Sequence, residues 1–154
     1  MATVTIRPVQ PGDCEPLVKM QLQLWPEASA DGQRQVIDSY LRDEVAGAMP
    51  ALLLVAEAHD GVPIGFLEAS LRSHADGCDP VRPTGYVEGW FVDEGYRSQG
   101  VGAALVRAAE DWARSHGCQE MASDVLIDNE RSQKAHHALG FAEVDRCVHY
   151  RKSL

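Results

Sequence analysis

Residues 96–102 read YRSQGVG, two glycines and an arginine set between GYVEGWFVD (85–93) and AALVRAAEDWARSHG (103–117). The first flank has the composition of a strand and the second the periodicity of a helix, so the chain must contain a strand–glycine loop–helix unit. A helix begins with backbone N–H groups that have no intrahelical partner, and its dipole makes that end positive. Glycines allow several of these N–H groups to converge with no side chain in the way. Soluble helices commonly neutralise this end with an acid in the first turn, but here the first acid after Gly100 is Glu110, well beyond it. Arg97 and Arg107 add positive charge nearby. The loop therefore reads either as an anion site or as a plain glycine turn into an ordinary helix.

The rest of the chain frames this unit. TVTIRPV (3–9) alternates as a short strand; 11–25 reads as a helix closed by Pro26, and 31–47 as a second helix. ALLLVAEA (51–58) and VPIGFLEASLR (62–72) flank Asp60-Gly61, a hairpin signal. A polar loop over 73–84 leads to the strand 85–93. After the glycine loop and its helix come a strand at 119–125, a helix at 129–139 and a last strand at 142–151. The order predicts one α/β (α+β) domain over 1–154, with a mixed sheet and at least one right-handed crossover. The net charge of −9 argues against nucleic acid and suits a cationic ligand or simply a soluble surface. The four cysteines are far apart, no signal segment precedes the first strand, and no window approaches a membrane span. These features point to a cytoplasmic chain with free thiols and no membrane partner.

Two familiar phosphate loops fit poorly. No lysine follows the glycines, as a nucleotide P-loop requires. As a G-x-G-x-x-G dinucleotide loop, Gly100 and Gly102 fit, but the third glycine falls on Leu105, and too few strand–helix units follow. RSQGVGAAL instead resembles the acetyl-CoA loop of the GNAT N-acetyltransferases, [QR]-x-x-G-x-[GA], matched by Arg97, Gly100 and Gly102. The segments QLWP, GCD, EGWFV, GCQEMASD, SQKAHHALGF and YRK follow in the order found in one bacterial subgroup of that family, the type I aminoglycoside 6'-N-acetyltransferases.

The resemblance implies a GNAT fold, a mixed central sheet splayed between its two middle strands and flanked by helices. It implies acetyl-CoA as cosubstrate, with no metal. Trp90, Phe91 and Val92 would bind it through their main chain, the loop Arg97, Ser98, Gln99, Gly100, Val101 and Gly102 would hold its pyrophosphate, and Asn129 would bond its pantetheine arm or serve as a plain helix cap. Gly89, inside a strand, marks a bulge or close backbone approach. The resemblance also implies an aminoglycoside pocket made by Trp25, Glu88, Asp124 and Asp145. Glu88 and Asp124 could relay the proton of the amine, although Asp124 could equally cap a turn and Trp25 end a core helix. Three positions depart from the subgroup. Asp145 stands where glutamate is usual, His74 falls near a usual tyrosine, and His136 replaces the tyrosine that many members place beside the leaving sulfur, where it either donates a proton or only packs. A His136–His137 metal site is disfavoured, because adjacent helix residues diverge. A homodimer in a bacterial cytoplasm is implied as well. The competing readings are a GNAT enzyme for a polyamine, peptide or lysine, and a non-catalytic acetyl-CoA-binding module.

Overall fold

The computed structural model describes residues 3–47 and 49–154. In chain order it contains β1 (Thr5–Pro8), a 3-10 turn (Pro11–Asp13), α1 (Cys14–Leu24), α2 (Ala30–Leu41), β2 (Ala51–Glu57), β3 (Pro63–Arg72), β4 (Thr84–Val92), a 3-10 turn (Glu94–Tyr96), α3 (Val101–Ser115), β5 (Met121–Ser123) and α4 (Glu130–Ala138). The sheet order is β1-β2-β3-β4-β5. Neighbours are antiparallel except β4 and β5, which are parallel. This is the mixed α/β sheet that the element order predicts.

The helices start and stop for local reasons. Asp13 accepts from the Gln10 N–H at 2.7 Å and pairs with Arg7, which also reaches Glu57, so one cation ties β1 and β2 to the head of α1. Burial pushes the Asp13 carboxyl up, and its hydrogen bonds to Arg7 and Gln10 overcome this and hold it below its usual range. Pro26 follows the end of α1. In α2 the Ser29 hydroxyl accepts from the Gly32 N–H at 3.0 Å as an N-cap. The helix expected to reach Gly47 stops at Leu41 instead. Asp43 adopts φ 56°, and the Glu44 N–H returns to the Ser39 carbonyl at 2.8 Å, closing the helix without a glycine.

Helices cover both faces of the sheet. Leu53, Val55, Phe66 and Phe91 bury one face against Leu17, Val18 and Met20 of α1 and Ile37 of α2. Leu54, Leu67, Ala69 and Val87 bury the other against Val101, Leu105, Val106 and Ala109 of α3. Each fully buried large side chain contributes about 1.5–3 kcal/mol, so the scaffold beneath the glycine loop is well anchored.

The site owes its shape to a defect in β4. Glu68 pairs with Gly89 and Ala69 with Val87, which leaves Glu88 unopposed as a β-bulge. The bulge expected near Gly89 is present, and its extra residue is Glu88. On the other edge, β4 pairs with β5 only from Gly85↔Met121 to Val87↔Ser123, so its last residues leave β5 behind and the splay opens between β4 and the edge strand β5.

The strand expected at 142–151 does not form. That segment has the alternating apolar pattern of a strand, yet Val144, Val148 and Tyr150 are 62%, 73% and 93% exposed, and no strand follows α4. The neighbouring β5 is three residues long and offers too little edge for a ten-residue strand.

Candidate active site

The N-terminus of α3 is uncapped, as its sequence predicts. Gly100 is the N-cap at φ 84°, with no capping side chain and no acid in the first turn. The first helical bond runs from the Ala104 N–H to the Gly100 carbonyl at 3.0 Å, so the N–H groups of Val101, Gly102 and Ala103 precede the helical ladder. Gly102 has a separate reason to be glycine: a Cβ there would lie 2.9 Å from Cζ2 of Trp90. The preceding loop is braced from within. Arg97 Nε donates to the Val92 carbonyl at 2.8 Å, Gln99 Nε2 donates to the Gly95 carbonyl at 2.9 Å, and Ser98 takes φ 60°. Arg97 thus holds the loop to the end of β4 while its remaining N–H groups stay available to an anion.

The splay is walled by Trp90, His136 and Phe141. His136 meets the Trp90 ring edge-on at 5.3 Å and Phe141 at 5.2 Å. Its Nδ1 lies 2.7 Å from the Ser132 carbonyl, which can only accept, so Nδ1 carries the proton and Nε2 accepts from the Ser123 hydroxyl at 2.8 Å. A neutral His136 therefore has no N–H left to give, and this geometry favours packing over proton donation. The indole Nε1 of Trp90 is buried with no partner among the described residues. An orphaned donor beside an open helix end fits a ligand with an acceptor there, as an acyl–pantetheine arm and pyrophosphate would supply. Asn129 caps α4, its Oδ1 accepting from the Ser132 N–H at 3.1 Å, which leaves its amide NH₂ for other contacts.

An acidic face lies on the α1–α2 side of the sheet. Glu68, Ser70 and Arg72 alternate along β3 and so share one face. Arg72 donates twice to Glu88, at 2.9 and 2.7 Å, and the Ser70 hydroxyl donates to Glu88 at 2.5 Å. Arg72 also stacks 3.5 Å over the Tyr86 ring, whose hydroxyl donates to Asp124 at 2.8 Å. Trp25 lies against Gly89, where a Cβ would come within 2.5 Å of the indole. Gly89 is thus small to admit an aromatic side chain rather than backbone. Glu68 is the deepest acid: burial above all, and Glu88 in addition, push its carboxyl up to about 7 against the downward pull of the Gln21 amide. The structure thus groups Trp25, Glu88 and Asp124 around this face.

Other predicted residues lie elsewhere. His74 is exposed on the β3–β4 loop, 3.5 Å from Asp76. Asp145 is on the exposed tail, and with Asp124 and His136 it lines a cavity of about 690 Å³ between β5, α4 and that tail. Glu68, Gln21, Ser70, Arg72 and Tyr86 were not singled out from the sequence. The available signal was three polar residues at every second position of an otherwise apolar β3. Among the described residues no group of three or more His, Cys, Asp or Glu is placed to hold a metal, and no helix is long and apolar enough to cross a membrane.

Comparison with known proteins agrees with this geometry. The profile of the acetyltransferase (GNAT) family matches residues 16–141. An aminoglycoside N(6')-acetyltransferase type 1 from Klebsiella aerogenes is 42% identical over 149 residues, covering 97% of this chain and 96% of the relative. One from Stenotrophomonas maltophilia is 35% identical over 150 residues, covering 97% and 94%. The solved structure of AAC(6')-Iy in complex with the bisubstrate analogue CoA-S-monomethyl-acetylneamine superposes with a TM-score of 0.87 at 36% identity, covering 99% of this chain and all of that one.

Proposed function

The chain belongs to the GNAT acetyltransferase family, and on that premise we propose that it transfers the acetyl group of acetyl-CoA to the 6'-amine of aminoglycosides, directly, within a ternary complex. The observation that carries the reading is the uncapped N-terminus of α3 at a splay in the sheet, backed by an acidic face. Main-chain groups of Trp90, Phe91 and Val92 line the slot for the thioester arm, the 97–102 loop takes the pyrophosphate, and the Asn129 amide bonds the pantetheine. Trp25 supplies an apolar wall for the sugar. Glu88 and Asp124, with Asp145 farther out, attract its ammonium groups, and the His74 ring stands where a stacking contact with the drug would form. The test is thiol release with acetyl-CoA and a panel of aminoglycosides, polyamines and lysine peptides, with the acetylated position read by NMR. Turnover of the other amines alone, or CoA binding with no turnover, overturns the reading.

Charge recognition has its own consequence. Removing one member of a desolvated charged pair costs roughly 2–5 kcal/mol. Glu88→Gln and Asp124→Asn are therefore expected to lower kcat/KM for kanamycin by about tenfold or more in at least one case, with acetyl-CoA KM little changed. Arg72 makes the two cases unequal, because Glu88→Gln also releases a guanidinium into the face. Wild-type resistance from both variants at equal expression would show that this face is not the drug pocket.

The whole chain, 1–154, acts as one domain in the cytoplasm, where acetyl-CoA is made, and as a homodimer. The dimer is supported by the tail: its exposed alternating residues pair with no strand among the described residues and border a cavity beside β5, as expected of a strand completed by a second copy. Light scattering on the full chain should give a dimer, and a chain ending at Phe141 a monomer. A monomeric full-length chain at micromolar concentration overturns the dimer, and activity confined to a membrane or periplasmic fraction overturns the compartment.

A further inference from the structure

The acids on the substrate face differ in what already holds them. Glu88 is engaged by the Arg72 guanidinium and the Ser70 hydroxyl. Asp124 accepts from the Tyr86 hydroxyl. Glu68 receives a single protein hydrogen bond among the described residues, from Gln21 Nε2 to its Oε1 at 2.9 Å. The other end of that amide is unusual. Gln21 is completely buried in α1, and its Oε1 has no partner among the described residues. An orphaned buried acceptor is costly, at about 1–3 kcal/mol. A protonated Glu68 would satisfy it, because a carboxylic acid offers one acceptor and one O–H donor, the complement of a primary amide. A carboxylate offers acceptors only and leaves Gln21 Oε1 unsatisfied. The Gln21 amide N–H serves the carboxylate, and its carbonyl oxygen can gain a donor from Glu68 only when Glu68 is protonated.

The position is suited to proton uptake. Glu68 is paired with Gly89 at the bulge, next to Trp90, and although mostly enclosed it keeps some solvent exposure. We propose, resting on the acetyltransferase reading above, that Glu68 takes the proton of the incoming substrate ammonium through water and stores it in an acid–amide pair with Gln21. The step balances. R–NH₃⁺ and the Glu68 carboxylate give R–NH₂ and the carboxylic acid. The free amine then forms the C–N bond as the C–S bond breaks, its second proton goes to the departing thiolate, and Glu68 returns its proton to water after product leaves. The groups facing Glu68 agree with this role. They are Gln21 from α1, Tyr40 from α2, Glu88 from β4, and Ser70 and Arg72 along β3 itself, while its β2 partner is Leu53. Burial and Glu88 together push Glu68 up to about 7, in the range where a general base works best at neutral pH.

The test is the pH profile of kcat/KM for neomycin in the wild type, Glu68→Gln and Glu68→Asp, with carboxyl-carbon NMR of Glu68 in the free enzyme. The wild-type rate is expected to fall as pH drops through about 7, where Glu68 becomes protonated and can no longer accept. Glu68→Gln keeps a partner for Gln21 and removes the base. It should lose about a hundredfold at pH 7, with the loss shrinking toward pH 9 as free amine accumulates and acetyl-CoA KM unchanged. Glu68→Asp should recover part of the rate and an acid limb. A merely structural Glu68 would lower the rate equally at every pH. That result, a glutamine variant within about twofold of wild type, or a Glu68 resonance titrating below pH 5, overturns the proposal while wild-type turnover of neomycin leaves the enzyme reading intact. A wild type inactive on every aminoglycoside overturns both.

Discussion

Paromomycin is expected to release no thiol above background under conditions where neomycin is turned over, a difference of about a hundredfold or more in kcat/KM. The two drugs differ only at the 6' position, a hydroxyl in one and an amine in the other. Both have the remaining ammonium groups that the acidic face can attract, so the comparison separates binding from chemistry. Direct transfer requires the nucleophile to come within about 3–3.5 Å of the thioester carbon. In the proposed site the approach runs through the gap that opens where β4 leaves β5 beyond Val87. An exocyclic CH₂–NH₂ projects farther into such a slot than an amine fixed on a ring. A hydroxyl in that place is a far weaker nucleophile, and the acids positioned to accept an ammonium proton give it little help. Equal thiol release from the two drugs would mean that another amine is acetylated. The acetyltransferase activity would stand and the regiochemistry would fall.

The glycine loop was legible because its logic is local. The uncapped helix start, the absence of a first-turn acid and the strand before it are all within about twenty residues of sequence. The splay was legible only through family resemblance, although its cause is local too, since the bulge falls on Glu88 beside a glycine. What Gly89 accommodates was not legible. The indole that occupies its missing Cβ comes from Trp25, more than sixty positions away. Glu68 was missed for the same kind of reason. Within β3 it looks like one polar residue on an ordinary strand, and its meaning depends on Gln21, whose side chain α1 buries 47 residues earlier.

The tail shows the opposite failure. Its period-two pattern is a correct record of what the residues prefer, yet a strand needs a neighbour, and β5 offers three residues of edge. Local propensity cannot reveal whether an edge long enough to pair with such a segment exists. Arg97 shows a subtler divergence. Sequence assigned it to the anion alone, while the structure gives its Nε to the Val92 carbonyl, so it also fixes the loop to the end of β4.

Gly100→Asp and Gly102→Val are each expected to weaken CoA binding by about a hundredfold or more, by different routes. A Cβ at Gly100 meets no atom within 4 Å, so steric clash is not the cause there. At φ 84° a non-glycine residue is strained by about 1–2 kcal/mol, which favours other loop conformations over the anion-binding one, and the added carboxylate repels the pyrophosphate at close range. Gly100→Ala carries the strain without the charge and should lose distinctly less than Gly100→Asp, which isolates the electrostatic part. At Gly102 the φ is unremarkable and the clash dominates. Valine must displace the Trp90 indole that lies 2.9 Å from the added Cβ, and with it an Nε1 that has no partner among the described residues. Trp90 fluorescence should therefore shift in Gly102→Val but not in Gly100→Asp. Calorimetric titration of CoA into each variant, with circular dichroism to establish that it is folded, makes the measurement. Folded variants that both bind CoA within about twofold of wild type would remove the anion site from α3 and, with it, the physical reason for two glycines between strand and helix.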